Sequence, residues 1–320
     1  MRRSNDGIFR PGDLTEDGWE SVVDDRIDGW QHTGLRVAHL GDHPLTLSAG
    51  DVERMIVPLA GSALVHYVSA DGESTRRLAG RRSVFDGPTD VLYLGAGTSA
   101  TVSGQGRIAV AEAPTDQRRD AVYVAAADVA VELRGAGRSS RQVHNFGVPG
   151  AQGAPDAAKL IVCEVITPAE NWSSYPPHKH DVNVPGTESE LEEIYYFETA
   201  VARGTNAPSE ARPFGMFSTY ESDERPVQID ARVSSGDIAL VPYGYHGPAV
   251  AAPGYDLYYL NVMAGPGSQR AWLITDDPAH AWVRGLWEEQ QPDPRLPYTP
   301  EATTPGSSTT HAPTTKGAAS

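Results

Sequence analysis

Residues 171–181, NWSSYPPHKHD, decide both the fold and the chemistry predicted for this chain. Two consecutive prolines force extended backbone, and His178 and His180 follow them two positions apart. In a β-strand, residues i and i+2 point to the same face, so both imidazoles can aim at one point. The stretch therefore predicts a strand that offers two histidine ligands to a metal ion.

Two later segments offer the remaining ligands. The carboxylates of Glu192 and Glu193 lead into the strand-like run IYYF at 194–197, and His246 ends the segment GDIALVPYGYH after a Pro-x-Gly turn. Three imidazole nitrogens and one carboxylate oxygen suit a divalent first-row metal ion and leave room for a substrate. Because an antiparallel barrel would bring these separate strands together, we expect one metal site, with either glutamate as its carboxylate.

The composition is that of a globular protein rich in turns. Its 320 residues are enough for two domains, and its 32 glycines and 25 prolines favour many short strands over long helices. A net charge of −16 argues against a nucleic-acid partner, whose phosphates need a basic surface. No window approaches the roughly 18 apolar residues of a membrane span, and the first residues lack the apolar run of a signal peptide. We therefore expect a cytoplasmic protein without membrane partners.

The chain has a single cysteine, Cys163, which excludes an internal disulfide framework. It lies in the apolar run LIVCEVI at 160–166. A thiol in such a run is typical of the core of a protein. We therefore expect a buried cysteine without a chemical role.

Two runs of strand-like segments, at about 36–113 and 141–265, divide the chain. The glycines and charges of VELRGAGRSSRQ at 131–142 make this segment the expected linker. We place an N-terminal cupin-like domain without a metal site at 1–135 and a metal-binding cupin domain at 136–288. From about 289 the chain changes, and 17 of its last 20 residues are Ala, Thr, Pro, Gly or Ser, so residues 289–320 are expected to be disordered.

The two halves look like a weak internal repeat. Glu53 precedes the run RMIVPLAG, and GPTDVLYLGAG at 87–97 falls where the second half has GDIALVPYG. The first half has no His-x-His and no histidine after its Gly-Ala-Gly turn. Its histidines are scattered without the spacing of metal ligands: His32, His39, His43 and His66. We therefore expect two copies of one all-β barrel, with the chemistry in the second alone.

Long motifs carry a resemblance to a known family. The chain resembles the 5-deoxy-glucuronate isomerases, the bicupin enzymes of bacterial myo-inositol catabolism. The resemblance covers about 20–288, with milder similarity at GRRSVF (80–85), and it rests on NWSSYPPHKHD together with LEEIYYF (191–197), VPYGYH (241–246), APGYDLYYLNVMAGP (252–266) and DPAHAW (277–282). It implies two tandem cupin domains that interconvert 5-deoxy-D-glucuronate and 2-deoxy-5-keto-D-gluconate.

The resemblance also implies the metal ligands. A related uronate ketol-isomerase of pectin breakdown binds zinc through His, His, Glu and His in its C-terminal cupin. Carried over to this sequence, those ligands are His178, His180, Glu193 and His246. The first choice of ion is zinc, and iron, manganese or nickel would accept the same ligands. The gap between His180 and Glu193 is longer than in most cupins, which implies an inserted loop.

Aldose–ketose isomerisation moves a proton between two carbons, so the site also needs a general base. Glu192 and Tyr245 are the candidates, although strand alternation points Glu192 away from the face that Glu193 uses. The tyrosines of the last long strand, Tyr255, Tyr258 and Tyr259, are better explained as core packing. The sequence does not name the base.

The substrate is an anionic deoxy-sugar acid, so a cation should lie near the metal. Arg270 and Arg141 rank level as its ligands, because an arginine suits a carboxylate better than a lysine does. Lys179 is a third candidate, although it should point away from its histidine neighbours. Two other functions stay open, a cupin dioxygenase and a non-enzymatic sugar-binding cupin. A homo-oligomer is compatible with the sequence.

Overall fold

The computed structural model describes residues 7–223 and 225–300, and strands dominate this part of the chain. All strand pairs between these residues are antiparallel, which confirms the all-β prediction. Short 3-10 helices are the only helical elements within the described ranges, at Val84–Asp86, Ala126–Asp128, Gly137–Ser139 and Ala281–Glu289. None of them has the length and apolarity that a membrane crossing requires.

The strands are numbered in chain order. The first ten are β1 Ile8–Phe9, β2 Ser21–Val23, β3 Gly34–Leu40, β4 Leu45–Leu47, β5 Val52–Ser69, β6 Gly72–Arg81, β7 Val91–Leu94, β8 Ser99–Pro114, β9 Val122–Val124 and β10 Val131–Arg134. The others are β11 Arg141–Gly147, β12 Ile161–Thr167, β13 Trp172–Ser173, β14 His178–Lys179, β15 Glu192–Val201, β16 Gly215–Tyr220, β17 Ile229–Val233, β18 Ile238–Val241, β19 Tyr245–Ala251, β20 Tyr255–Ala264 and β21 Thr275–Asp276.

The second half of the chain forms a barrel of two facing sheets. One sheet has the order β1-β18-β15-β20-β12-β11-β10, and the other has the order β17-β16-β19-β14-β21, with β13 also paired to β19. Strand β17 alternates buried and exposed residues because one of its faces meets water, whereas every residue of β12 is buried. Cys163 on β12 is buried and free, as predicted, and burial raises the pKa of its thiol to about 12.

The first half forms one eight-stranded sheet that curls into a second barrel. Its long strands β5 and β8 run through both walls, and their pairing shifts register between Pro58 and Ala60, where the sheet bends. Gly61 lies beside this bend with a φ of +81°, and a Cβ there would lie 2.0 Å from the Gln105 carbonyl oxygen. Glycine is therefore required where the two strands cross closely.

The predicted internal repeat is present in the strand order. The sequence of neighbours β7-β5-β8-β3-β2 in the first half matches β18-β15-β20-β12-β11 in the second. Each barrel has its own apolar interior, and a third cluster of buried side chains packs between the barrels, with Met55, Val57, Phe146, Tyr196 and Tyr258 among its members. One wall of each barrel is therefore buried on both faces.

Three segments differ from the simple tandem picture. Strand β1, at the start of the chain, pairs with β18 of the second barrel, and the segment 131–142 expected as a linker contributes β10 to the same sheet. Residues 290–300 correct the prediction of disorder from about 289, because Leu296 and Tyr298 are buried in the cluster between the barrels. Residues 301–320 lie outside the described residues, and the division at 135 and 136 stays a prediction.

Candidate metal centre and its cavity

Three strands of the second barrel bring the predicted ligands together. His178 on β14 and His246 on β19 are direct cross-strand partners, and their ring centroids lie 4.6 Å apart. His180 follows β14, with its ring centroid also 4.6 Å from that of His246. Glu193, near the start of β15, reaches the same point from the facing sheet. The strand pairing thus places all four predicted ligands at one end of the barrel.

The backbone orients each of the three imidazoles. Nδ1 of His178 lies 3.1 Å from the Pro176 carbonyl oxygen, and Nδ1 of His180 lies 2.9 Å from that of Leu191. Nδ1 of His246 lies 3.1 Å from the carbonyl oxygen of Gly244. Since Nδ1 must be protonated to donate to a carbonyl, Nε2 is the atom of each ring that is available to bind a metal ion.

The atoms that converge are the right donors for a cation. Oε2 of Glu193 lies 2.9 Å from Nε2 of His180 and 3.0 Å from Nε2 of His246, and the donor atoms of these three residues all lie within 4.8 Å of one another. His178 lies outside that tight group and next to His246. Nε2 of His246 is buried and directs no hydrogen bond to any described residue. A divalent ion would satisfy this atom, so the residues present fit the metal that the sequence predicts.

The electrostatics also favour a cation. Burial alone would raise the pKa of Glu193, but the hydrogen bond with His180 and the nearby imidazole of His246 lower it to about 2, so this carboxylate is ionised. Burial, together with the neighbouring His246, holds the pKa of His178 well below its usual value. Burial also acts to lower the pKa of His180, but its hydrogen bond with Glu193 raises it overall. A metal ion would take the place of that proton.

The segment that carries the histidines is itself held by buried carboxylates. Asp181 accepts a hydrogen bond of 2.8 Å from the Gly244 backbone N–H and another from the Ser222 hydroxyl, so it ties the histidine pair to the turn before His246. Gly244 has a φ of +96°, and a Cβ there would lie 2.7 Å from the Tyr220 carbonyl oxygen. Asp181 stands directly after His180 in the sequence, and this proximity was the available signal for its role.

The ligands open into a cavity of about 500 Å³. His178 and Glu193 form part of its wall, and three arginines, Arg134, Arg141 and Arg284, form another part. The other lining residues are mostly aromatic, apolar or able to form hydrogen bonds: Glu132, Leu133, Gly135, Val143, Val165, Ser174, Tyr175, Tyr195, Tyr259, Asn261, Trp272, Ile274 and Trp287. The volume and the mixed lining are typical of a site for a small polar ligand.

Arg141 is the predicted cation that lies in this cavity. Its guanidinium donates a hydrogen bond of 3.0 Å to the Ser139 carbonyl oxygen and lies over the Trp287 ring at 5.4 Å. Burial lowers its pKa to about 10, and no carboxylate within 7–223 or 225–300 forms an ion pair with it. A buried charge without a counter-ion is costly, and a bound carboxylate would remove that cost.

The other predicted cations lie elsewhere. Arg270 donates to the carbonyl oxygens of Leu160, Pro155 and Gly147, the first at 2.8 Å, and does not line the cavity. Lys179 points away from its histidine neighbours, as expected from strand alternation, and its Nζ lies 2.9 Å from Glu188. Both side chains therefore already have partners, and the structure brings neither to the metal centre.

The two predicted bases are also outside the cavity. The Glu192 carboxylate accepts backbone N–H groups of residues 31–33 from the other half of the chain, the shortest at 2.6 Å, so its oxygens are already occupied. Tyr245 stacks its ring near that of Tyr220, 5.5 Å away, and does not line the cavity. These positions correct the assignment of Glu192 and Tyr245 as catalytic groups.

Strand alternation identifies cavity residues that were not predicted from the sequence, and it places Tyr259, which was expected only to pack the core, in the cavity wall. Tyr195 stands two residues after Glu193 on β15 and lines the same cavity, and Tyr259 and Asn261 are two apart on β20. Asn261 Nδ2 and Trp272 Nε1 are buried and have no hydrogen-bond partner among the described residues. These two donors add to the polar groups that a ligand in the cavity would satisfy.

Comparison with known proteins agrees with this geometry. The sequence profile of the KduI/IolB family matches residues 9–283. A protein of Geobacillus kaustophilus named 5-deoxy-glucuronate isomerase is 38% identical over 259 residues, which are 80% of this chain and 87% of that protein. A protein of the same name from Bacillus subtilis strain 168 is 37% identical over 235 residues, or 72% of this chain and 79% of that protein.

Solved structures give the fold and the same family. An IolB-like protein from Salmonella typhimurium is 34% identical, with a TM-score of 0.74 over 86% of this chain and 98% of that chain. Oxalate decarboxylase from Lactobacillus farciminis has a TM-score of 0.57 at 12% identity, over 84% of this chain and 88% of its own, and this likeness shows the fold alone. The tandem cupin prediction is thus confirmed, and the chain belongs to the KduI/IolB family.

Proposed function

We propose that this chain is a metal-dependent aldose–ketose isomerase that interconverts 5-deoxy-D-glucuronate and 2-deoxy-5-keto-D-gluconate. The observation that carries the proposal is one cavity that joins a buried set of metal ligands to an arginine without a counter-ion. Relatives that carry the name 5-deoxy-glucuronate isomerase support the choice of substrate. The two parts of the cavity match the two ends of such a substrate, its carbonyl and its carboxylate.

The metal site would consist of His178, His180, Glu193 and His246. Zinc is our first choice of ion, and iron, manganese or nickel would accept the same three nitrogens and one oxygen. When bound, a divalent ion supplies Lewis-acid stabilisation for the negative charge that develops on oxygen during the isomerisation. The backbone carbonyls that fix Nδ1 of each histidine keep the ligands oriented without substrate.

Arg141 would hold the substrate carboxylate. Its guanidinium is buried, lies in the same cavity as Glu193, and keeps unused N–H donors in a fork that suits a carboxylate. The contact with Trp287 helps to fix the plane of that fork. The sugar would therefore bind in one direction, with its carboxylate away from the metal ligands.

Glu132 would move the proton. Burial, and then the charge of Glu193, raise the pKa of Tyr195 well above its usual value, and burial raises that of Tyr259, so both phenols stay protonated and donate hydrogen bonds. Apart from Glu193, Glu132 is the carboxylate of the cavity lining within the described chain. Asn145 and Arg134 hold it at 3.1 and 2.9 Å, which fixes its orientation.

The decisive experiment measures turnover of 5-deoxy-D-glucuronate by metal-loaded and chelator-stripped protein, with elemental analysis of both. We expect activity to follow the metal content and one ion per chain. Equal rates in the two preparations, or no turnover by folded, metal-loaded protein, would overturn the proposal. Oxygen uptake with the same substrate would instead indicate a dioxygenase.

Glu132→Gln tests the proton transfer. We expect turnover to fall by about 10²- to 10⁴-fold, as is typical when a general base is lost, together with the exchange of solvent deuterium into the substrate. Metal content should be unchanged, and Glu190→Gln, at an exposed glutamate, is the matched control. Normal deuterium exchange in Glu132→Gln would remove Glu132 from the mechanism.

A further inference from the structure

The first barrel has an arginine where the second has its metal-binding glutamate. Glu193 pairs across its sheet with Val241 on β18 and Met263 on β20. Arg54 pairs in the same way, with Leu94 on β7 and Glu112 on β8. Because the two strand orders match, Arg54 occupies the position of Glu193.

The histidine positions have also changed. His246 stands five residues after Val241, and the same count from Leu94 leads to Ser99. Strand β4, which pairs with β8 as β14 pairs with β19, ends at Leu47 and is followed by Ser48. Serines and an arginine do not form a metal site, yet a cavity remains beside Ser48 and Arg54.

That space is a cavity of about 440 Å³, nearly as large as the one at the metal centre. Its wall consists of Arg36, Arg54, Trp19 and the residues of β4 with their neighbours, and Asp17 lies at its exposed rim. A barrel interior without a ligand is normally filled by apolar side chains. This one has an open space in which two arginines stand among apolar side chains.

The arginines are held in place by a single carboxylate. Glu112 lies 2.9 Å from Nε of Arg36 and 2.7 Å from Nε of Arg54, and Nη1 of Arg54 donates to the Thr98 carbonyl oxygen at 3.1 Å. Both Nη atoms of Arg36 and Nη2 of Arg54 have no hydrogen-bond partner among residues 7–223 and 225–300. The group therefore carries one net positive charge and unused donors.

The charge favours an anion. Arg54 and Glu112 are each only 7% exposed, and Arg36 is 25% exposed, so water screens this excess charge poorly. Asp17 at the exposed rim is screened by solvent, and Asp24, which also interacts with Arg36, is already paired with Arg26, so the two offset the charge only in part. One glutamate holds both guanidinium groups in place, so their free N–H groups are already ordered. A small carboxylate would therefore bind them with little loss of conformational entropy.

We propose that the N-terminal barrel contains a second ligand site, separate from the metal centre, which binds a small organic carboxylate through Arg36 and Arg54. The ligand takes the place in the first barrel that substrate takes in the second. This inference rests on the matching strand geometry of the two barrels and on the cavity of the first, and it does not depend on the isomerase proposal. Each barrel would thus contain one binding site, and only the site in the second barrel would be catalytic.

The test measures binding of D-glucuronate by the metal-loaded full chain with isothermal titration calorimetry. We expect one equivalent whose affinity falls by about tenfold or more in Arg36→Gln, because charge-assisted hydrogen bonds are lost. Arg77→Gln, at an exposed arginine of β6, removes the same charge and should leave this equivalent unchanged. The neutral sugar methyl glucoside should not occupy the site.

A second pair of variants guards against misfolding of Arg36→Gln. Thr46 is an exposed residue of β4 that lines the cavity, so its replacement disturbs no core packing. Thr46→Glu should weaken glucuronate binding by charge repulsion, whereas Thr46→Gln, of the same size, should not. The proposal is overturned if no equivalent of glucuronate responds to Arg36→Gln and Thr46→Glu, or if methyl glucoside binds as tightly. Any equivalent at the metal centre is identified separately by its loss in Arg141→Gln.

Discussion

The two barrels share a glutamate at one position of matching strands and differ at the next position. Glu53 in the first and Glu192 in the second stand at the start of matching strands, and each carboxylate accepts three backbone N–H groups from the other half of the chain. The N–H donors to Glu53 come from residues 158–160, and those to Glu192 come from 31–33. The following residue, Arg54 or Glu193, points into its own barrel.

This difference follows from the two faces of a strand. The outward residues join the barrels and are alike, because the contact between the halves needs both of them. The inward residues face separate interiors, so one can bind a metal while the other holds a carboxylate-bridged arginine pair. One face of the matching strands therefore has the same structural role in both barrels, and the other face supports different chemistry in each.

The largest expected difference between the barrels is the effect of replacing a histidine on turnover and metal content. We expect His246→Ala to reduce turnover of 5-deoxy-D-glucuronate by about 10²- to 10⁴-fold and to lower the metal content below one ion per chain. The reason is that His246 contacts both Glu193 and the ring of His178, so its loss opens the centre of the ligand set. Activity assays with elemental analysis provide the measurement.

His43→Ala in the first barrel is the matched control. His43 is exposed, and the described residues show no ion pair at this side chain, so neither metal content nor turnover should change. Two ions per chain in the wild-type protein, or retention of metal in His246→Ala, would contradict the assignment of one metal to the second barrel.

A smaller effect is expected at the other end of the catalytic cavity. Arg141→Gln should lower kcat/KM by about tenfold to a hundredfold, mainly through KM, because it removes charge-assisted hydrogen bonds to the substrate carboxylate. Metal content should stay at the wild-type value. Arg138→Gln, at an exposed neighbour, is the control.

Arg270→Gln sharpens this result. Because Arg270 donates only to backbone carbonyls outside the cavity, its replacement should lower the melting temperature and leave KM unchanged. A rise in KM for Arg270→Gln, together with a normal KM for Arg141→Gln, would mean that Arg270 and not Arg141 binds the substrate carboxylate.

Local spacing was sufficient to predict that His178, His180 and His246 converge. The i, i+2 relation of His178 and His180, and the turn before His246, are properties of a few adjacent residues, so strand geometry alone places them. The choice of Glu193 over Glu192 also follows from alternation, once Glu193 is known to face inward. The repeated strand order and the all-β class were likewise present in the pattern of turns.

Roles that depend on distant partners could not be predicted in this way. Glu192 has the residue type of a base, and only its contact with residues 31–33 shows that its oxygens are taken. Arg141 and Arg270 are indistinguishable in the sequence, and they differ in which groups surround them after folding. The segment 290–300 was predicted to be a disordered tail because it lacks a strand pattern. In the structure, Leu296 and Tyr298 pack into a core formed by both barrels.

The reciprocal glutamates offer a test of what the barrels share. We expect Glu53→Gln and Glu192→Gln each to lower the free energy of unfolding by about 1–3 kcal/mol, because each amide loses part of a set of buried hydrogen bonds to a charged acceptor. Urea unfolding followed by fluorescence provides the measurement. Turnover per folded Glu192→Gln molecule should match that of the wild type, and loss of turnover at unchanged stability would restore Glu192 as the base.

A buried ion pair also joins the two barrels, and its contribution to stability should be lost in acid. Arg81 of β6 donates to both oxygens of Glu164 on β12, at 2.6 and 2.7 Å, and both side chains are buried. Burial alone would raise the pKa of Glu164, but the charge of Arg81 and the hydrogen bond with His144 lower it from an ordinary 4.5 to about 2.

The folded protein therefore binds this proton less tightly than the unfolded chain does. The stability that the pair contributes is fully present above about pH 4.5 and is lost as the pH falls towards 2, with a slope of at most about 1.4 kcal/mol per pH unit for one group. Unfolding measured between pH 7 and 2.5 should show this slope in the wild type. Glu164→Gln should be less stable at neutral pH, because Arg81 loses its partner, but its stability should fall less steeply in acid. Parallel curves of stability against pH for the wild type and Glu164→Gln would mean that the contact between the barrels does not depend on this carboxylate. Glu53 and Glu192 would then hold the two halves together without it.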